Sequence, residues 1–184
     1  MRNEKKIFLF LIAFFFYIDG VYTIIDMATA YGTALGLDST GLLLALLVTQ
    51  LVAFPFAILF GRLSKCYDVR TLITICIAAY FGIAVFAIFL KAQWQFWIMA
   101  ILVGMFQGGI QALSRSYFTK IIPAEKSGEY FGLMDICGKG ASFLGTTVIS
   151  LIAQFTVKVN IGVGAISLFF VLGMIVFKMA TAEE

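Results

Sequence analysis

The sequence predicts an all-α membrane protein, a single bundle over residues 1–184 with six transmembrane helices, and three observations carry that expectation. Hydrophobic residues make up 62% of the 184-residue chain and charged residues only 12%. A soluble globule of that composition would leave too much apolar surface in water. The apolar residues gather into about six segments of roughly 18 to 26 residues, each long enough at about 1.5 Å per residue to cross a hydrocarbon core about 30 Å thick. Finally, the basic residues fall on one side of that alternation. Arg2, Lys5, Lys6, Arg62, Lys65, Arg70, Arg115, Lys120, Lys126 and Lys178 lie on one face of the bilayer, against Lys91 and Lys158 on the other. The positive-inside rule then puts both termini in the cytoplasm of a multi-pass protein of the cell membrane. The net charge of +3 calls for no nucleic acid.

The first segment, about 7–32, follows a basic run, RNEKK, as a secretory leader would, but it is too long and lacks a small-residue cleavage site. It reads as a retained span. Asp19, Tyr22, Thr23, Asp26 and Thr29 are spaced to share one of its helical faces. Asp19 comes near the bilayer midplane, whereas Asp26 sits near the outer boundary where water solvates it. Asp19 is therefore the stronger candidate, either as a functional acid or as a hydrogen-bonded structural carboxylate.

In the loop TALGLDST, Asp38, Ser39 or Thr40 can cap the next helix. The second segment, about 41–61, carries Ala53, Ala57 and Gly61, small residues four apart that let helices approach closely. Pro55 removes a backbone donor and is expected to bend it. The third segment, about 71–90, and the sixth, about 160–178, hold no charged side chain inside and are expected to form lipid-facing walls. The fourth, about 94–114, runs Gly104, Gln107, Gly108, Gln111 and Arg115 down one face at steps of three or four. Its glutamines suit ligand contact or interhelical hydrogen bonding, and Arg115 suits a boundary anchor or a place in the site.

The fifth segment, about 129–153, carries Asp135 and Lys139 one helical turn apart, with Gly138, Ser142, Gly145, Thr146 and Ser150 on the same face. Charges at membrane depth cost roughly 2.5–3.5 kcal/mol each, so this face belongs against other helices or a wet cavity. Cys66, Cys76 and Cys137 are odd in number and lack metal-ligand spacing, which leaves no disulfide framework, metal or cofactor site in view.

Polar spans one, four and five and plain spans three and six arrange the chain as two triplets, about 7–90 and 94–178. Three being odd, the second triplet crosses the membrane opposite to the first. Two inverted three-helix repeats are the plan of half of a major facilitator fold.

The loop GRLSKCYDVRT stands where that superfamily carries its cytoplasmic signature, with Gly61, Arg62 and Arg70 in keeping and Lys65 and Asp68 departing from it. GGIQALSRSYFTKIIPAEKSGEYFG, GKGASFLGT and FFFYIDGVYTI together resemble the C-terminal half of the vacuolar amino-acid effluxer-like family of major facilitators, over about residues 7–153. The resemblance implies secondary transport of small solutes, amino acids among them. Family members carry about twelve spans, so six imply a partner: a missing N-terminal half or a second copy.

The expected site is charged and near the midplane, with Asp19, Asp135 and Lys139 at its centre and Gln107 and Gln111 offering hydrogen bonds to a small-molecule solute. A carboxylate in low dielectric is suited to carry a proton. In the alternative, Lys139 neutralises Asp135 or Asp19 as structural glue, and the chain is a membrane scaffold. Enzyme chemistry finds no support, since histidine is absent and no GxGD pattern accompanies the acids.

Overall fold

Polar side chains at the connections decide where the helices begin. The Asp38 carboxylate accepts from the Gly41 N–H at 2.7 Å, and Asp68 accepts from the Arg70 N–H at 3.1 Å, each starting a helix. Gln95 accepts from the backbone N–H groups of Lys91 and Ala92 at 2.8 and 3.1 Å, capping another start from within. Gly36, at φ 74°, supplies the left-handed residue that turns the chain back after the first helix.

The computed structural model describes residues 2–34, 36–155 and 159–182 of the backbone; the side chains of Arg2 and Ser142, and all of Lys158, lie outside the described residues. Within them the helices are α1 (Arg2–Ala34), α2 (Ser39–Leu63), α3 (Val69–Ile88), α4 (Gln93–Ile121), α5 (Ser127–Phe155) and α6 (Val159–Ala182), with a short 3-10 turn at Ala124–Lys126 before α5. Four of them are long and apolar enough to cross a membrane: α1 from Glu4, α2, α3 and α4. A shorter apolar stretch, Ile166–Ala182, occupies most of α6.

Helix α1 packs against α5 and α6, α4 packs against α2 and α3, and α3 meets α6. Buried hydroxyls add links from α1 to α4 and α3, and from α3 to α4. Tyr17 on α1 bonds Ser114 on α4 at 2.6 Å, Tyr31 donates to the Ala87 carbonyl at 2.8 Å, and Tyr80 donates to that of Val103 at 3.3 Å. At one end of the bundle Phe10, Tyr117, Phe118 and Phe177 cluster between α1, α4 and α6, in stacked, tilted and edge-to-face pairs with ring centroids 5.3–6.2 Å apart.

A close approach joins α2 to α4. A Cβ on Gly104 would stand 2.6 Å from the Thr49 carbonyl oxygen, and one on Gly108 would stand 2.6 Å from that of Ala53. Ala57 flanks the same contact, so two of the expected small residues, Ala53 and Ala57, meet glycines on the neighbouring helix. Thr49 adds a hydrogen bond across the seam, donating to the Ala100 carbonyl at 3.1 Å.

Helix α3 is a wall on one side only. Ile73, Cys76, Ile77, Tyr80 and Ala84 are fully buried between α4 and α6, and the Tyr80 ring stacks on Phe170. Among the described residues, the helix that exposes the most large apolar side chains is α2, through Leu43, Leu47, Leu51, Phe54 and Ile58 among others, with Pro55 on an exposed position among them. Helix α6 does the same through Leu168, Leu172, Ile175 and Met179.

Candidate functional site

Three helices bring the charged residues together because each turns its polar stripe to the same side. Gln111 and Arg115 on α4, Asp135, Gly138 and Lys139 on α5, and Tyr22 with Phe14 on α1 enclose a cavity of about 440 Å³, with Met134 at its wall. The Arg115 guanidinium donates to the Asp135 carboxylate at 2.8 Å, bridging α4 to α5. Both side chains remain about half exposed, at 60% and 49%, so the pair faces the open cavity. An exposed pair of this kind adds little to stability by itself. Its position is what matters: it fixes two charged groups at the mouth of a hollow.

Lys139 lies one turn beyond Asp135, exposed on the same lining, and has no ion-pair partner among the described residues. Asp135 is joined to Arg115 across helices rather than to Lys139 along its own helix. Among the described residues, two cations and one carboxylate therefore line the cavity, leaving one positive charge in excess. A Cβ at Gly138 would meet the Phe14 ring at 3.7 Å, an ordinary van der Waals contact, so the wall has room for a methyl there.

Asp19 is not on this lining. It is fully buried between α1 and α5, where its Oδ1 accepts from the Gly145 backbone N–H at 3.0 Å and from the Thr23 hydroxyl at 3.4 Å. Its Oδ2 is buried without a hydrogen-bond partner among the described residues. Gly145 is six residues past Lys139, so Asp19 sits about 9 Å further along α5 than the charged cavity. Gln107 is half-buried with its Oε1 unpartnered among the described residues, one turn of α4 away from Gln111. Asp26 is exposed further along α1 and is not among the residues lining the cavity. Of the residues expected to form a site, Gln111, Arg115, Asp135 and Lys139 share one cavity, while Asp19, Gln107 and Asp26 stand apart from it.

The lining also includes Phe14 and Met134, which no polar pattern singles out. Apolar side chains on a helix carry no mark of whether they meet lipid, core or cavity. The Gly145 amide, the partner of Asp19, is a backbone group and equally silent in sequence, although Gly145 itself falls on the polar stripe of α5.

Long apolar helices around a shared charged hollow make this a multi-pass membrane protein, and its relatives place it among the major facilitators. The whole chain, residues 1–184, matches the family described as vacuole effluxer Atg22 like, and it belongs to that family. It is 44% identical over 183 residues to the MFS-type transporter YxiO of Bacillus subtilis (strain 168), covering 100% of this chain and 43% of that protein. It is 28% identical over 192 residues to autophagy-related protein 22 of Vanderwaltozyma polyspora, and 30% identical over 167 residues to that of Saccharomyces cerevisiae (strain ATCC 204508 / S288c). Those alignments take in 98% and 84% of this chain, and 37% and 32% of the relatives. The chain thus spans less than half the length of the curated relatives it matches.

Proposed function

We propose that this chain is the C-terminal six-helix half of a secondary transporter of the cell membrane, and that the cavity between α1, α4 and α5 takes the carboxylate of a small solute of the amino-acid class. The carrying observation is the charge arrangement. Lys139 stands without an ion-pair partner among the described residues beside an Arg115–Asp135 bridge, in a cavity of about 440 Å³, a volume in the range of small-molecule sites. A solute carboxylate would answer the excess positive charge, and its ammonium would find Asp135 within the same lining. Gln111 and Tyr22 supply neutral hydrogen-bonding groups. Gln107 lies next along that face of α4, and Asp19, deeper and protonatable, serves coupling rather than solute contact.

Two inverted three-helix repeats are supported by the pairing of helices. Exchanging α1 with α4, α2 with α5 and α3 with α6 turns the α1–α5 contact into α4–α2 and the α1–α6 contact into α4–α3, and each of those pairs is packed. The cavity's open side needs a companion bundle, either an N-terminal half or a second copy, because a charged lining against acyl chains costs several kcal/mol. Both termini lie in the cytoplasm on this reading.

Reconstitution tests it. In proteoliposomes, the natural full-length protein should accumulate amino acids, and Lys139→Gln should reduce initial uptake by at least about tenfold, the equivalent of one charge-assisted contact. A lipid-facing control, Leu172→Ala, should leave uptake intact. Equal uptake by Lys139→Gln and the unaltered protein would remove the cavity from transport.

A further inference from the structure

Between α3 and α6, two helices that take no part in lining the charged cavity, runs an open groove of about 360 Å³. The helices touch at its floor, where the Tyr80 ring stacks on that of Phe170 at 5.6 Å. Small residues on α3 make the hollow. Ala78 lies in it, and a methyl added to Gly82, one turn further on, would meet nothing within 4 Å. Phe81, Met174 and Ile175 complete an apolar lining. A crevice between helices forfeits dispersion contacts on its open side unless something fills it, and in a bilayer the apolar filler at hand is an acyl chain.

Charge at one end narrows the choice of lipid. Lys178 is the last groove residue on α6, one turn before that helix ends, and the only charged residue of the described lining. Its side chain is exposed and has no ion-pair partner among the described residues. From Phe170 to Lys178 the groove follows α6 for eight residues, about 12 Å along the axis. One leaflet of hydrocarbon is about 15 Å deep, half of a core about 30 Å thick. A tail lying from Phe170 outward therefore brings its headgroup level with the Lys178 ammonium, which the long lysine stem carries to the interface. A zwitterionic headgroup brings its own cation beside the phosphate, whereas an anionic one leaves a phosphate charge for Lys178 to meet. A second copy of the chain suits the groove less well. Two protomers of one orientation joined symmetrically along it would set Lys178 against Lys178 at the same depth.

We propose that the α3/α6 groove is a binding site for an anionic phospholipid, with one acyl chain laid over Ala78 and Phe170 and the headgroup phosphate held by Lys178. The lipid belongs to the leaflet that meets the end of α6. This site is separate from solute binding, since it shares no residue with the charged cavity.

Photolabelling of the natural full-length protein in phosphatidylcholine vesicles, with a phosphatidylglycerol bearing a diazirine in its acyl chain, tests the site locally. Labelled peptides should map to α3 around Ala78 and to α6 around Met174, and unlabelled phosphatidylglycerol should compete where added phosphatidylcholine does not. Lys178→Gln should lower that labelling about fivefold, the worth of one lysine at an anionic membrane surface. Lys178→Arg should retain it, which separates charge from any change in folding. Ala78→Phe, which fills the groove, should lower labelling at Met174, while Lys139→Gln should leave it unchanged whatever that variant does to uptake. Labelling of α3 and α6 no stronger than that of the exposed face of α2, equal competition by the two lipids, or labelling unchanged in Lys178→Gln would overturn the proposal. Disulfide-linked dimers formed through Ala78→Cys in the same membranes would place a second copy in the groove and overturn it as well.

Discussion

Gly145 decides how Asp19 is buried. A Cβ at that position would collide with the Thr23 hydroxyl and stand 3.1 Å from Asp19 Oδ1, so only glycine lets the carboxylate reach the α5 backbone N–H. Gly145→Ala should destabilise the bundle by about 1–3 kcal/mol, the usual cost of overpacking, seen as a lowered melting temperature in detergent. Gly140→Ala is the matched control. Gly140 is exposed on the same helix, a methyl there would meet nothing within 4 Å, and alanine should be neutral or stabilise by about 0.5–1 kcal/mol. Equal melting of the two variants would mean that α1 and α5 part freely at Asp19. Spacing alone put Asp19 on the inner face of α1 and Gly145 on that of α5. What spacing does not carry is the partner: a backbone amide leaves no trace in a residue pattern. The Arg115–Asp135 bridge escaped for a related reason, because it depends on the relative depth of α4 and α5, which neither helix encodes by itself.

Among the elements, the seam between α2 and α4 makes the clearest demand on sequence. Gly104 and Gly108 lie against the Thr49 and Ala53 carbonyls, and the Thr49 hydroxyl crosses to Ala100. Gly108→Ala should cost about 1–3 kcal/mol, since its methyl would meet backbone that cannot swing aside. Thr49→Val, which keeps the shape and removes a hydroxyl shared between the Ala45 and Ala100 carbonyls, should cost about 0.6–1 kcal/mol. The reverse order in thermal melts would place the strength of the seam in its hydrogen bond rather than its packing. Small residues four apart on α2 made this contact legible. The burial of α3 was not, because an all-apolar helix has no polar face to show which side meets protein. Helix ends also run past the apolar segments, as α4 does to Ile121, because polar turns continue a helix beyond the hydrocarbon.

At the scale of the whole molecule, charge gathers in one hollow while several helices, α5 included, turn apolar side chains outward. The cavity of α1, α4 and α5 gathers Arg115, Asp135 and Lys139, while α2 and α6 turn Leu51, Phe54, Leu172 and Ile175 outward. Such a division fits a bundle bathed in lipid on its α2 and α6 faces and wet along the charged hollow. The most direct measurement is cysteine accessibility in native membranes, after Cys66, Cys76 and Cys137 are replaced by alanine. Single cysteines at Gln111, Lys139, Leu51 and Leu172 would be exposed to a membrane-impermeant maleimide, with and without amino acids. A wet, solute-binding hollow predicts rapid labelling of Gln111→Cys and Lys139→Cys, slowed by solute, and little at Leu51→Cys or Leu172→Cys. Inert cavity positions beside labelled leucines would contradict it.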